Sequence, residues 1–295
     1  MGRKHHGDRR DTEQIRAAGA VSREHERGPA PVERVKLPAK TPVVGTPISM
    51  TSYEEVIDLL DQAPSDRAMT IAICTVHSVM SARKDPALRK ALNNADIATC
   101  DGVPLVWAIR MTARPEQQRV YGPGLMRRTL IEGLPEHRHY LFGSTPETIE
   151  LLQTHAAEFA PSAKIVGTES PPFRTPTPEE EEAMLERIRS SGANIVWVGL
   201  GMPKQELWMD RVAPRLPGVT LVGVGAAFDF LAETKAQAPA WMQRSGLEWL
   251  FRLSQEPRRL WRRYLWNNPA YLMLLARQVV ASRLRGGRQS PEKAD

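Results

Sequence analysis

Short apolar runs alternate with longer segments of helical periodicity through the middle of the chain. The apolar runs predict buried strands, and segments whose apolar residues recur every three or four positions predict helices. The predicted strands are 68–74, 97–100, 139–142, 164–166, 195–198 and 219–224. The predicted helices are 76–93, a segment through 105–109, 146–157 and 178–190. Strands that alternate with helices across short connections form mostly parallel sheets.

This alternation predicts an α/β fold: a doubly wound, Rossmann-like, mostly parallel sheet with a helical, cationic C-terminal appendage. We place the α/β domain at 41–243 and the appendage at 244–285. Residues 1–40 mix charges with Gly, Pro and Ala without sustained periodicity, which predicts a disordered tail, and 286–295 is assigned as a second tail. A doubly wound sheet binds its ligands outside the carboxyl ends of its strands.

Arginines alternate with tryptophans and tyrosines in the appendage. An amphipathic, cationic and aromatic-rich segment of this kind is typical of helices that lie in a membrane surface. Its longest apolar run, 270–276, is far shorter than the ~20 residues that span a bilayer. We therefore expect the appendage to lie on a membrane rather than to cross it.

Composition places the chain among globular proteins, with 295 residues, 41% of them hydrophobic and 25% charged. Its net charge of +6 favours an anionic partner without identifying it. Cys74 and Cys100 each lie near the end of an apolar run, so we expect small buried side chains in a reducing compartment. The N-terminus is polar from Met1 to His6, which predicts a cytoplasmic protein.

A glycine-containing turn follows the strand at 195–198. Pro203 lies at the start of the next predicted helix, where a missing N–H does no harm. The free N–H groups of that first helical turn favour negative charge, so the turn around Gly201 and Lys204 predicts a phosphate site. The glycines alone are equally compatible with an ordinary strand-to-helix turn of any α/β protein.

Two polar residues directly follow neighbouring predicted strands. Thr75 comes after 68–74 and Asp101 after 97–100, so both should face the crevice at one end of the sheet. A carboxylate in that position can remove a proton from a hydroxyl nucleophile. Asp101-Gly102 is also compatible with a plain turn.

An ordered set of motifs carries a resemblance that spans roughly residues 43–264. The motifs are Thr75-Val76-His77, Asp101-Gly102, Arg119-Val120-x-Gly122, Gly199-Leu200-Gly201-x-Pro203-Lys204-Gln205-Glu206, Gly223-Val224-Gly225 with Phe228-Asp229-Phe230, Ala238-Pro239-x-Trp241-Met242, Gly246-Leu247-Glu248-Trp249-Leu250-Phe251-Arg252-Leu253 and Glu256-Pro257-Arg258-Arg259. In this order and spacing the chain resembles the WecG/TagA/CpsF family of bacterial glycosyltransferases.

The resemblance implies an inverting, metal-independent glycosyltransferase of cell-surface polysaccharide synthesis. It would move a sugar of the N-acetylmannosamine type, or a related one, from a UDP-sugar to an undecaprenyl-diphosphate-linked saccharide. Its partners would then be the UDP-sugar, the polyprenyl-diphosphate-linked acceptor and an anionic membrane surface on the inner face of the plasma membrane, with a homo-oligomer also compatible. No cofactor, metal or nucleic acid is expected.

The resemblance also implies roles for individual residues. Asp101 matches the proposed general base, Thr75 and Gln205 match residues of the nucleotide-sugar site, and an arginine that matches Arg119 lies nearby. The predicted catalytic residues are Asp101, Thr75 and Arg119. The predicted substrate-binding residues are His77, Gly102, Gly143, Gly201, Lys204, Gln205, Arg252, Arg259 and Arg262. The last three come from an appendage that is thought to close the site on the membrane.

Three positions depart from the family pattern, and they leave alternatives open. His77 stands where asparagine is usual, Gly124 where aspartate is frequent, and Gln237 where arginine commonly precedes Ala-Pro. A UDP-glucose or uronic-acid donor, or an inactive nucleotide-binding protein, therefore remains an alternative. A nicotinamide-dependent dehydrogenase ranks low, because no Gly-x-Gly-x-x-Gly turn follows the first strand of the predicted sheet. Nucleic-acid binding by the basic C-terminal segment is a third possibility, and salt-sensitive association with nucleic acid without liposome binding would support it. The sequence contains no zinc-finger or other recognised nucleic-acid motif.

Overall fold

The computed structural model describes residues 35–286, without the side chains of Arg259, Arg263, Arg283 and Arg285. Residues 1–34 and 287–295, which make up most of the two predicted tails, lie outside the described part. The three domain boundaries proposed from the sequence therefore stay predictions.

Eight strands and twelve α-helices form the described part of the chain. The strands are β1 Lys40–Val43, β2 Thr46–Ser49, β3 Met69–Cys74, β4 Ile97–Cys100, β5 Arg138–Gly143, β6 Lys164–Glu169, β7 Ile195–Gly199 and β8 Thr220–Gly223. The helices are α1 Tyr53–Asp61, α2 Val76–Ala82, α3 Pro86–Asn94, α4 Val103–Thr112, α5 Gly122–Glu132, α6 Pro146–Phe159, α7 Pro178–Ser190, α8 Lys204–Val212, α9 Ala227–Leu231, α10 Ala240–Ser245, α11 Glu248–Gln255 and α12 Pro257–Gly286.

The six strands predicted from the apolar runs form one parallel sheet in the order β4-β3-β8-β7-β5-β6. This confirms the predicted α/β, Rossmann-like fold. Every residue of β3, β4 and β8 is buried, as expected for parallel strands that are covered on both faces. Successive side chains alternate between the two faces: Ile71 and Ile73 pack into one core, and Ala72 and Cys74 into another.

Two local features differ from the sequence prediction. The helix expected over 76–93 is divided into α2 and α3, because the Asp85 side chain caps a new helix whose first residue is Pro86. The antiparallel hairpin of β1 and β2 was not predicted. Its strands have four residues each and contain a proline, so the alternation that marks longer strands is absent.

The connections of the sheet change direction between β5 and β7. The chain leaves β5 toward its outer neighbour β6, whereas it leaves β7 toward β8 on the opposite side. Such a switch point opens a crevice at the carboxyl ends of the two strands. Gly143 and Gly199, which are paired in register, lie at this point.

The C-terminal helices pack onto the same body. The Tyr271 hydroxyl of α12, a buried residue, donates to the Pro104 carbonyl at 2.9 Å. Gln278 accepts from Val44 N at 2.7 Å and donates to Pro42 O at 2.6 Å. Helix α12 is thus fastened to α4 and to the hairpin. No helix within residues 35–286 is both long enough and apolar enough to cross a membrane.

Candidate active site

Asp101 and Thr75 lie at the carboxyl ends of two neighbouring strands. Cys74 of β3 is in register with Cys100 of β4, and Asp101 N donates to Cys74 O at 2.8 Å. Thr75 is the N-cap of α2, and its hydroxyl accepts from Ser78 N. The predicted placement of both residues at one end of the sheet is therefore confirmed, while their catalytic roles stay predictions.

Asp101 belongs to a chain of four alternating charges. Arg119 donates to Asp101 Oδ1 from Nε at 3.0 Å and from Nη2 at 2.7 Å. The same Nη2 atom lies 2.7 Å from Glu248 Oε2, and Arg252 Nη2 lies 2.8 Å from Glu248 Oε1. The structure thus brings together Asp101, Arg119 and Arg252, and it adds Glu248, which the sequence prediction missed. The Glu-x-x-x-Arg spacing on one helix was the available signal.

Aromatic rings flank both arginines. The Arg119 guanidinium lies 4.5 Å above the centre of the Tyr121 ring, and that of Arg252 lies 5.2 Å from the centre of the Phe230 ring. Such contacts favour a fixed guanidinium plane beside the carboxylates. The arginines are therefore held in position by the protein itself.

Burial has the largest effect on the pKa of the Asp101 carboxylate. It raises the pKa of Asp101, with the Glu248 charge acting in the same direction and the Arg119 charge in the opposite one. Burial would lower the pKa of Arg119, but Asp101 and Glu248 together raise it above its ordinary value. Asp101 is thereby a stronger base than an exposed aspartate, and Arg119 stays charged at every physiological pH.

The glycine turn after β7 is held by a side chain of α8. Gln205 is buried; its Oε1 accepts from Gly201 N at 3.1 Å, and its Nε2 donates to Glu206 Oε1 at 3.0 Å. Gly201 has a φ of +75°, and a side chain there would meet open space. Gln205 therefore holds the turn in place from the protein side, while the space beside the Gly201 Cα stays open.

Glu206 is buried beneath the same turn. Its Oε2 atom has no hydrogen-bond partner in the structure, and burial raises the pKa of this residue to about 7. The neutral carboxyl form is consequently favoured, since an ionised one would lack solvation. Sequence reasoning assigned no role to Glu206 individually.

Position 143 requires glycine, because the backbone there lies very close to the neighbouring strand. Its φ is +128°, and an added Cβ would lie 2.5 Å from the Gly199 carbonyl carbon. Lys204, exposed at the start of α8, donates to the Phe173 carbonyl at 3.3 Å. Gly102 is the N-cap of α4 directly after Asp101. These residues all lie along the carboxyl edge of the sheet.

The remaining predicted site residues connect to the C-terminal helix. His77 Nδ1 lies 3.2 Å from Ser81 Oγ and 3.4 Å from Asn267 Nδ2 of α12. Arg262 is exposed on α12, with its guanidinium 5.2 Å from the Trp261 ring centre. The side chain of Arg259 lies outside the described residues. The predicted roles of Arg262 and Arg259 therefore stay predictions.

The two cysteines are buried and unpaired, as predicted. Burial raises the pKa of Cys100 to about 11 and that of Cys74 further, so both are thiols at neutral pH. Within the described part of the chain, His, Cys, Asp and Glu side chains form no group of three that could hold a metal ion.

The arrangement combines a partly buried carboxylate with two fixed guanidinium groups at the ligand edge of a parallel sheet. A carboxylate can accept a proton, and guanidinium groups stabilise negative charge on a departing group. A family model described as the glycosyl transferase WecG/TagA/CpsF family matches residues 41–285. Because this match covers most of the chain, the protein belongs to the WecG/TagA/CpsF family of glycosyltransferases.

Proposed function

We propose that the protein transfers a sugar from a UDP-sugar, of the N-acetylmannosamine type or a related one, to a polyprenyl-diphosphate-linked saccharide. The reaction inverts the anomeric carbon and needs no metal ion. The observation that supports this most is the Asp101 carboxylate, whose side chain is 13% exposed and pairs with Arg119, which in turn pairs with Glu248.

In the proposed reaction Asp101 accepts the proton of the acceptor hydroxyl. The hydroxyl oxygen forms a bond to the anomeric carbon from the face opposite UDP, and the bond between that carbon and the UDP oxygen breaks. The electron pair of this bond leaves with the diphosphate. We propose that Arg119 and Arg252 supply positive charge that stabilises the departing anion, which is the task that a metal ion performs elsewhere.

The sheet supports an elongated donor site. Three strand spacings of about 4.8 Å separate β4 from β7, so Asp101 and the Gly143–Gly199 switch point are about 14 Å apart along the sheet. We place the nucleotide toward the switch point and the N-terminus of α8, where N–H groups favour phosphate. The reacting sugar would then lie toward Asp101.

The surface of the C-terminal helix supports the proposal that the acceptor is bound to a membrane. Large apolar side chains are exposed on α12: Trp261, Leu265, Trp266, Leu272, Met273, Val280 and Leu284. At 3.6 residues per turn they lie on one side of the helix, opposite the buried Leu260, Tyr271 and Leu275. Exposed tryptophans beside arginines suit an anionic bilayer surface, so we propose a peripheral location on the cytoplasmic face of the plasma membrane.

UDP release from a panel of UDP-sugars tests the proposal. The purified protein is incubated with a short-chain lipid-diphosphate-GlcNAc acceptor, with and without EDTA. We expect acceptor-dependent turnover that survives EDTA and falls on the order of 10²–10⁴-fold in Asp101→Asn, since a general base is lost.

The matched control is Asp58→Asn, which changes an exposed aspartate on α1 and should leave turnover unchanged. The donor that supports turnover identifies the sugar, including a glucose or uronic-acid donor. Binding of UDP without turnover from any donor would overturn the proposal in favour of an inactive nucleotide-binding protein.

A further inference from the structure

Glu248 lies at the junction between the C-terminal helices and the candidate base. It is the first residue of α11, and its side chain is 15% exposed. One carboxylate oxygen contacts Arg119 and the other contacts Arg252, at 2.7 and 2.8 Å. The same carboxylate therefore joins an arginine of the α/β domain to an arginine of α11.

The Arg119 Nη2 atom is shared between two carboxylates. It lies 2.7 Å from Asp101 Oδ1 and 2.7 Å from Glu248 Oε2. With Glu248 in place, two negative and two positive charges face one another. Without it, Asp101 would face an excess positive charge, which stabilises the ionised carboxylate and makes it a weaker base.

We propose that Glu248 is a positioning residue of the transfer reaction: its carboxylate shares the Arg119 guanidinium with Asp101, offsets part of the positive charge that Asp101 faces, and holds Arg252 beside the same site. This inference rests on the proposed function. Helix α11 then affects the reaction itself, because it carries Glu248 and Arg252.

Titratable and charged groups from several elements surround Asp101. The charged ones are Arg119, before α5, and Glu248 and Arg252 of α11. The neutral ones are Tyr53 of α1, Tyr121 before α5, Cys74 of β3 and Cys100 of β4, whose pKa values are all raised by burial. Among these neighbours Glu248 supplies the negative charge that opposes Arg119.

The test is Glu248→Gln, which removes the charge and keeps the shape of the side chain. We expect kcat to fall about 10-fold and the acid limb of kcat/KM against pH to move about 1 unit lower, because Asp101 loses its anionic neighbour. A residue that merely fixes α11 would lower activity without moving that limb.

Glu182→Gln is the matched control. Glu182 also bridges two arginines, Arg189 and Arg215, but on exposed α7. Its replacement should leave both kcat and the acid limb unchanged. Glu248→Asp, which keeps the charge, should restore the acid limb to its wild-type position even where kcat stays reduced.

A titration of the Asp101 carboxyl carbon by NMR gives a readout that needs no turnover. In Glu248→Gln we expect the pKa of Asp101 to fall relative to the wild type. An unchanged pKa would overturn the inference, whether or not the enzyme is active. If the wild type turns over no donor, the proposed function fails, and this titration still decides whether Glu248 acts on Asp101.

Discussion

Among single residues, Arg119 has the most exacting geometry. Its Nε and Nη2 atoms both reach Asp101, while Nη2 also reaches Glu248. A lysine presents one ammonium group and cannot reproduce this planar fork. We therefore expect Arg119→Lys to lower kcat on the order of 10²-fold, as for other lost donors to a developing anion.

Steady-state kinetics checks this prediction. The control is Arg174→Lys, which alters a two-bond arginine–glutamate pair with Glu180 on the surface and should leave kcat unchanged. Full activity in Arg119→Lys would show that a positive charge alone suffices at this position.

Glu206 predicts a pH dependence of stability. Its pKa is raised by burial from 4.5 to about 7, so the folded state binds a proton that the unfolded state has lost over this range. The corresponding stability is complete below pH 4.5 and lost as the pH rises through 7. Relative to Glu206→Gln, wild-type unfolding free energy should fall by about 3 kcal/mol between pH 4.5 and 8.

Urea unfolding at both pH values measures this difference. Parallel pH dependences of the wild type and the variant would contradict the assignment of a neutral, buried carboxyl group.

Two glycines at the crevice predict different costs for the same substitution. Gly143→Ala combines a φ of +128° with a Cβ only 2.5 Å from Gly199, whereas Gly201→Ala has a φ of +75° and open space. We expect at least ~3 kcal/mol of destabilisation for the first, from strain and overpacking. The second should cost ~1–2 kcal/mol. Equal losses in denaturant unfolding would contradict this.

At the scale of elements, the attachment of α12 depends on few side chains. Tyr271 is buried and bonds to Pro104 O, whereas its neighbour Leu272 is 54% exposed. Tyr271→Ala should increase amide hydrogen exchange along α12, because it removes a large buried ring and a hydrogen bond. Leu272→Ala should leave exchange unchanged. Equal exchange in the two variants would show that α12 is held elsewhere.

Helix and strand positions were largely accessible from the sequence. The helix Pro178–Ser190 and the strand Ile97–Cys100 coincide with their predicted bounds. Such elements can be recognised from the local periodicity of apolar residues, since a parallel strand that is covered on both faces must be apolar throughout. The break between α2 and α3 was missed because apolar residues recur at helical spacing on both sides of it, while a single aspartate cap decides where the second helix begins.

For the whole molecule, the exposed apolar side of α12 predicts membrane binding. Replacement of Leu265, Trp266 and Met273 by serine should weaken cosedimentation with anionic vesicles at least ~10-fold. Each serine has less apolar surface to bury in the bilayer than the side chain that it replaces. The control replaces two residues that are exposed elsewhere, Leu151 of α6 and Phe173 of the segment before α7, and should bind as the wild type does. Undiminished binding of the triple variant would contradict a membrane-facing α12.

The sequence by itself determined the parallel α/β sheet, the strand ends at which Thr75 and Asp101 lie, and the buried cysteines. Each depends on local periodicity or on the rule that ligands meet the carboxyl ends of parallel strands. Family motifs added Arg119 and Arg252 as candidates.

Only the tertiary structure decided what these residues contact. It showed that Glu248 joins Arg119 to Arg252, that Gln205 is buried beneath the glycine turn, and that Gly143 lies against Gly199. Glu248 is 129 positions from Arg119 along the chain. Contacts between residues so far apart in the sequence depend on how the helices dock, which no local pattern of side chains specifies. The interaction energy of a buried ion pair exists only after its partners have met.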